Sequence, residues 1–370
     1  MKKTIPFIDL HKQYLSIKEE INFAIDQVIN NSAFIRGQFV DQFEKDFSNL
    51  IGVDHTISCG NGTDSLYIAM KALELSSDDE VIVPAHSWIS TSEAVTQAGG
   101  RVVFCDTLPD TFLIDPREIL KKITDKTVGI IPVHLYGQAA EMDQIMSIAS
   151  KHNLWVIEDC AQAHLAKYKD QEVGTFGDFG SFSFYPGKNL GAMGDAGALI
   201  TNSPRLANNA RRFARHGGLV KGEHEIEGIN SRLDGIQAAI LSVKIKHIKE
   251  WTIQRQNAAN VYKELLSGIR EITLPKVYST NTHVWHQFTI KLNYRDELSR
   301  HLLSKGIPTS INYPIALPFL KAYKKYKFQE QQFPNAFANQ SQILSLPIYP
   351  EITFQDQKYI SKSIEEFFIK

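Results

Sequence analysis

Cysteine is scarce in this chain. Only Cys59, Cys105 and Cys160 occur in 370 residues. An odd number with no CxxC spacing excludes a disulfide framework and a thiolate metal knuckle, and predicts free, buried thiols in a reducing compartment. An excess of charge is missing too. Forty basic residues face 41 acidic ones, for a net charge of −1. No bulk electrostatic pull toward nucleic acid or an anionic membrane follows from that balance. Long apolar runs are absent, and the longest, near Val128 to Val133, is far too short to span a bilayer. The opening MKKTIPFIDL meets Asp9 before any signal-like apolar stretch develops. A cytoplasmic protein without membrane or nucleic-acid partners is the expectation. Repeats and low-complexity linkers are also lacking.

What remains is an ordinary globular composition, 43% apolar and 22% charged, in a length that suggests about two domains. Helical spacing marks Ile17, Ile21, Ala24 and Val28, then Val40, Phe43, Phe47 and Leu50. The pattern then alternates. Strands are predicted at 55–59, 80–84, 101–106, 127–134 and 154–159, and helices at 63–73, 90–97, 115–123 and 140–152. Continuous Val/Ile strands alternating with helices predict an α/β fold, a mostly parallel central sheet with helices on both faces. One amphipathic run from 231 to about 266 follows, with His247 interrupting its apolar stripe. Beyond it, strand-like 284–292, a helix at 295–305 and strand-like 309–313 predict a smaller α+β domain. The division expected is 1–245 and 246–370.

Ligands of open parallel sheets bind beyond the carboxyl ends of the strands. After the first strand comes Gly60-Asn61-Gly62-Thr63-Asp64-Ser65, leading into a helix. Free backbone N–H groups and a helix dipole there can cradle a phosphate, although Thr63 could simply cap the helix. No GK[ST] or GxGxxG follows. The strand at 154–159 ends in Glu158-Asp159-Cys160-Ala161-Gln162-Ala163-His164. A buried carboxylate there needs a partner, either an ion pair or the cationic ring nitrogen of a cofactor. Lys188 stands among glycines and aromatics in Ser183-Phe184-Tyr185-Pro186-Gly187-Lys188. Most lysines are solvated surface residues, but burial would lower this amine's pKa and make it a nucleophile. Cradle, carboxylate and lysine, in that order, point to pyridoxal 5′-phosphate and an aspartate-aminotransferase-like fold.

With Ile5–Leu10, Pro84-Ala85-His86-Ser87-Trp88, Asn230-Ser231-Arg232-Leu233-Asp234 and Leu346–Pro350 added, the sequence resembles the DegT/DnrJ/StrS family of nucleotide-sugar aminotransferases across nearly its whole length. The resemblance implies the pyridoxal-phosphate fold type I. It implies that Lys188 bonds the cofactor and later moves a proton, and that Asp159 holds the pyridine nitrogen protonated. It places Gln162 near the ring's 3-oxygen and Trp88 on the ring face. Gly62, Thr63 and Ser183 would hold the phosphate, with Asn230 reaching in from a second subunit of a homodimer with shared active sites. Trp88 as plain core and Asn230 as a helix cap are the structural alternatives. His86, Tyr185, Asn312 and Tyr313 are candidate substrate contacts. His134 and His164 read as structural or substrate-lining. His283 and His286 fall on opposite faces of a strand-like segment, and no metal site is expected.

The implied reaction moves an amino group from L-glutamate to a keto-sugar nucleotide. Gly194-Asp195-Ala196 stands where members acting at C4 tend to read Gly-Glu-Gly, which favours C3 of a dTDP-3-keto-6-deoxyhexose, for an amino-deoxysugar of a cell-surface polysaccharide. A C4 or UDP-sugar enzyme of the same family is the alternative. Asn312 replaces the usual histidine of His-Tyr-Pro, and Leu317-Pro318 follows where a histidine is usual. Rivals of other kinds are a sugar dehydratase, which would carry histidine in place of Lys188, a non-catalytic regulatory protein, and an amino-acid aminotransferase.

Overall fold

A computed structural model describes residues 4–220 and 222–369. Its strands in chain order are β1 (His55–Cys59), β2 (Glu80–Pro84), β3 (Arg101–Cys105), β4 (Thr127–Ile130), β5 (Trp155–Asp159), β6 (Lys167–Tyr168), β7 (Gln171–Glu172), β8 (Phe179–Ser183), β9 (Gly197–Thr201), β10 (Asn281–Thr282), β11 (Phe288–Lys291) and β12 (Ile343–Leu346). Seven of them form the central sheet, in the order β1-β9-β8-β5-β4-β2-β3. Only β9 runs against its neighbours, so the carboxyl ends of the other six share one edge. The mostly parallel sheet predicted from the alternating pattern is therefore present. β8 and β9, read from sequence only as site-bearing segments, complete it.

Two large buried clusters cover the sheet faces. One holds a knot of phenylalanines. Phe47 meets Phe182 and Phe184 edge to face at 5.1 and 5.3 Å, and Phe43 meets Phe184 at 5.4 Å. Each such pair contributes about 0.5–1.5 kcal/mol beyond area burial. The knot fixes β8 and the residue that leads from it toward Lys188. A third cluster gathers Tyr262, Phe288, Leu298, Leu344, Ile360 and their neighbours around the β11–β12 pair. Ile5 from the opposite end of the chain joins it. Residues 316–336 do not. Ala316, Leu317, Tyr323, Phe333 and Ala336 pack back against the large sheet.

Several sequence expectations need correction. The run from 231 to 266 is two helices, Gly235–Ile245 and Ile248–Leu266. His247 stands between them, its Nε2 3.0 Å from Glu20 Oε1 and its ring stacked on Trp251. A polar residue on the apolar stripe ends one packing surface, and the second helix carries the chain to the third cluster. The strand expected to reach His134 stops at Ile130, just before Pro132, which lacks the donor a ladder needs. The 284–292 strand is only Phe288–Lys291. Trp285 ahead of it has a φ of 50°, outside strand geometry. Thr309–Tyr313 forms one isolated bridge, Ser310 with Ser345, in a stretch bracketed by Pro308 and Pro314. The three cysteines are free and buried, as expected. No helix among the described residues is long and apolar enough to cross a membrane.

Candidate active site

Four strand ends build the site. After β1, the helix Gly62–Ala72 begins with Asn61 as its cap, Asn61 Oδ1 accepting from the Asp64 amide at 2.8 Å. The cap is thus Asn61 and not Thr63, whose Oγ1 lies 2.7 Å from Ser90 Oγ. Gly62 backs directly onto Ser183. A Cβ at Gly62 would sit 2.6 Å from Ser183 Cβ, closer than real side chains approach. Gly197, at the start of β9, is as tightly placed, since its Cβ would lie 2.3 Å from the Asn61 carbonyl oxygen. Gly62, Thr63 and Ser183 are therefore brought together at a helix N-terminus, an arrangement suited to an anion.

At the end of β5, Asp159 is 5% exposed. Its carboxylate accepts from Thr91 Oγ1 at 2.9 Å and from the Ala161 amide at 3.1 Å. Burial nevertheless pushes its pKa up, against those hydrogen bonds and the positive charge of Lys188. This carboxylate is still short of a cationic partner. Its neighbour Glu158 is satisfied by hydrogen bonds instead, and the alternative of a surface ion pair fails for both. Glu158 is fully buried and accepts from the Gly174, Phe176 and Gly177 amides. It also accepts from His134 Nε2 at 3.0 Å, while His134 Nδ1 accepts from the Ala140 amide. Cys160 lies close to this pair. With both imidazole nitrogens engaged, His134 braces Glu158 against the Ala140 backbone.

Lys188 sits in the 184–196 connection between β8 and β9. Burial pushes its amine down to about 8, against the pull of Asp159. A cavity of about 440 Å³ opens beside it, and Gln162, Tyr185, Asn312 and Tyr313 share its wall. Gln162 bridges two segments. Its Oε1 accepts from the Tyr136 amide at 2.7 Å, and its Nε2 donates to the Tyr313 hydroxyl at 2.9 Å. Trp88 is 57% exposed, with its ring 5.4 Å from that of Tyr313. The reading of Trp88 as core is thereby overturned.

The remaining candidates divide. His86 is buried, with Nε2 3.1 Å from the Tyr136 hydroxyl and its pKa held at about 4 by burial. The Tyr136 hydroxyl in turn donates to the Asn312 carbonyl. The Asn312 side chain accepts from Ser310 Oγ and donates to Ser345 Oγ, so its hydrogen bonds tie its own segment to β12. Tyr185 is exposed at the rim. Asn230 is exposed as well, paired through its backbone with Arg215. It caps no helix, because the helix begins at Gly235 with Asp234 in the cap position. The adjacent Ser231 instead supports the cradle, its Oγ accepting from the Gly60 amide at 2.9 Å and donating to Asp64 at 2.6 Å.

Sequence reasoning missed Thr91, Ser90, Tyr136 and Ser231. Thr91 and Ser90 lie inside a helix, Tyr136 has a φ of 60° after an irregular strand end, and Ser231 acts 171 positions from Gly60. None carries a local pattern. Phe7 and Ile8 line the cavity too, a role for the opening segment beyond its part in the resemblance.

A lysine of lowered basicity and a buried carboxylate at the carboxyl edge of a mostly parallel sheet place the protein among the aminotransferases. Residues 15–365 match the DegT/DnrJ/EryC1/StrS aminotransferase family, and the chain belongs to it. Among its relatives, a "pleiotropic regulatory protein" of Geobacillus stearothermophilus is 42% identical over 98% of both chains. The dTDP-3-amino-3,4,6-trideoxy-alpha-D-glucose transaminase of Streptomyces venezuelae is 38% identical, covering 94% of this chain and 92% of its own. The UDP-N-acetyl-3-dehydro-alpha-D-glucosamine 3-aminotransferase of Acidithiobacillus ferrooxidans is 41% identical over 94% of each. The crystal structure of S. venezuelae DesV, in complex with a ketimine intermediate, superposes with a TM-score of 0.97 at 36% identity over 99% of both chains.

Proposed function

We propose that this protein binds pyridoxal 5′-phosphate and transfers the amino group of L-glutamate to a keto-sugar nucleotide, at C3 of a dTDP-3-keto-6-deoxyhexose. The observation that carries the reading is Lys188, an amine whose pKa burial lowers to about 8 and that shares one site with the under-compensated carboxylate of Asp159. The residues fit the cofactor. The missing side chain of Gly62 lets Ser183 pack directly against the loop, which gathers Thr63 and Ser183 at the helix N-terminus where a phosphate would be held. Asp159 lacks the cation that a protonated ring nitrogen would provide. Trp88 offers an exposed ring face, and Gln162 a donor beside it. When bound, the cofactor supplies an aldehyde that takes up an amine and a ring that accepts the electron pair left when the substrate carbon loses its proton. Lys188 would hold the cofactor and then, as a free amine, accept and return the substrate proton at Nζ. Asp159 would keep the ring-nitrogen proton in place. A protonated Asp159 could not do so, and the positive charge of Lys188 helps hold it ionised.

A dTDP sugar is supported by the S. venezuelae relative, while the A. ferrooxidans relative favours a UDP sugar. The Gly194-Asp195-Ala196 sequence tips the reading toward C3 and dTDP. The name of the 42%-identical relative favours a regulatory protein. Lysine, carboxylate and cradle gathered at one edge of the sheet favour catalysis, since a silent scaffold needs none of them. Asn230, exposed in the single chain, would meet the cofactor phosphate of a partner subunit in a homodimer. The decisive experiment incubates the yellow holoenzyme with glutamate and either dTDP-3-keto- or dTDP-4-keto-6-deoxyhexose, or a UDP-3-keto sugar, and identifies the product by mass and NMR. Amination at C3 of the dTDP sugar is expected. Turnover of simple keto acids alone sinks the proposal.

The cradle makes its own prediction. Gly62→Ala forces its methyl against Ser183, an overpacking of about 1–3 kcal/mol. Cofactor affinity should fall on the order of 5- to 150-fold in an absorbance titration. Unchanged affinity would remove the phosphate from this loop.

A further inference from the structure

His286 lines the same cavity wall as Lys188. Its hydrogen-bonding state is fixed by a chain of partners. The Val284 carbonyl can only accept, so the Asn189 amide group facing it at 2.9 Å must be the NH₂. Asn189 Oδ1 is then the atom 3.2 Å from His286 Nδ1. A carbonyl oxygen accepts, so Nδ1 carries the hydrogen. In a neutral ring, Nε2 is left with a lone pair. The ring is neutral, because burial and the charges facing it from Lys188, Arg255 and His164 all push its pKa well below the ordinary value. Arg255 is held in place by the Trp285 and Ile348 carbonyls. Next along the chain, Gln287 also lines the cavity, and its Oε1 is buried without a hydrogen-bond partner.

Two acceptors with unspent capacity thus stand on the wall beside the amine that marks the reacting carbon. A carboxylate is repelled by lone pairs, and an ammonium is disfavoured by Lys188 and Arg255. A neutral hydroxyl suits both. We propose that His286 is a specificity-determining residue whose Nε2 accepts a hydrogen bond from a substrate hydroxyl next to the carbonyl that is aminated, with Asn189 as the positioning residue that sets its tautomer. This inference rests on the keto-sugar reading above. It explains how one site can serve two dissimilar substrates: the wall bonds a hydroxyl of the sugar, and the charged groups of the amino-acid donor are held elsewhere in the site.

Two measurements test it. The first is ¹⁵N NMR of the histidine-labelled holoenzyme, with His286 assigned by its loss in His286→Gln. The expected result is a neutral ring protonated at Nδ1 down to pH 6. An Nε2–H tautomer or an imidazolium at neutral pH overturns the proposal. The second compares the two half-reactions. His286→Phe should lower kcat/KM for the keto-sugar nucleotide about 10- to 100-fold, while conversion of the cofactor by glutamate changes less than about twofold. His286→Gln keeps an acceptor and should recover most of the loss. A substrate lacking the neighbouring hydroxyl should show no difference between wild type and His286→Phe. Equal losses toward glutamate and sugar overturn the inference alone. If the wild type accepts glutamate but no keto-sugar nucleotide, the substrate reading itself fails, and this inference with it.

Discussion

Replacing Lys188 by alanine is expected to abolish transamination, with a loss of at least about four orders of magnitude. The general-base contribution alone is worth roughly 10²–10⁴-fold, and the covalent hold on the cofactor is lost in addition. Borohydride treatment followed by mass spectrometry should label the wild type at Lys188 and leave the variant unlabelled. A variant that still transaminates within tenfold of the wild type would show that another group carries the proton. The lowered basicity has its own readout. In the chain freed of cofactor, an amine reagent should modify Lys188 with a midpoint at about pH 8. The sign follows from the direction of the shift. A pKa near 8 leaves about a tenth of the amine uncharged at pH 7, against roughly one part in a few thousand for an ordinary lysine. Reactivity therefore rises through pH 8 and is low below pH 6.

Asp159→Asn should be nearly as damaging while leaving the fold intact. The substitution keeps the shape, and the amide oxygen can still accept from the Ala161 amide. What disappears is the negative charge. Removing a preorganised charge from a buried catalytic site costs on the order of 10²–10³-fold in rate. A stopped-flow measurement of the glutamate half-reaction reports this directly, and a rate within tenfold of wild type would dismiss Asp159 from the machinery. The same variant carries a control that a structural role would not produce. Asp159 raises the Lys188 pKa, so its neutralisation should move the Lys188 modification midpoint below about 8. The two substitutions also couple. Combined, they should cost little more than Lys188→Ala alone, because each removes part of one proton-handling unit.

Much of this site was legible in the chain, for a physical reason. Asp159 ends a strand whose apolar character announces burial, Gly62 opens the glycine-rich loop after β1, and Lys188 stands among glycines and aromatics in the connection after β8. Their spacing along the chain reflects strand order, so the pattern survives without coordinates. Residues that hold these groups in place left no such trace. Thr91 reaches Asp159 across 68 positions, and Asn189 reaches the Val284 carbonyl across 95. Contacts of that range depend on how the chain folds back, which no local period encodes. The fold was legible to a similar depth. Strands 55–59 and 80–84 agree to the residue, whereas β8 and β9 were hidden by their own glycines, which weaken a strand signal while permitting close packing around the cradle. His86 and Asn312 were read as substrate contacts from the motifs that carry the family resemblance. Their hydrogen bonds show them joined through Tyr136, where the segment after β2 meets the one before β12.

The antiparallel return of β9 has a bearing on how such a protein can diversify. It ties both ends of the lysine connection into the sheet, and Gly197 wedges that connection against Asn61 of the phosphate loop. Amine and anion site are thereby one mechanical part, and neither can drift without the other. The rest of the cavity wall, carried by segments 283–287 and 310–314, hangs on irregular backbone outside any sheet. Mutations there reach the reactive half through a few contacts, those of Asn189 with Val284 and His286 and of Tyr313 with Gln162 and Trp88. A lineage could exchange one sugar for another by rewriting those ten residues while inheriting the chemistry unchanged, and a protein engineer seeking a new acceptor would confine a library to the same ten positions.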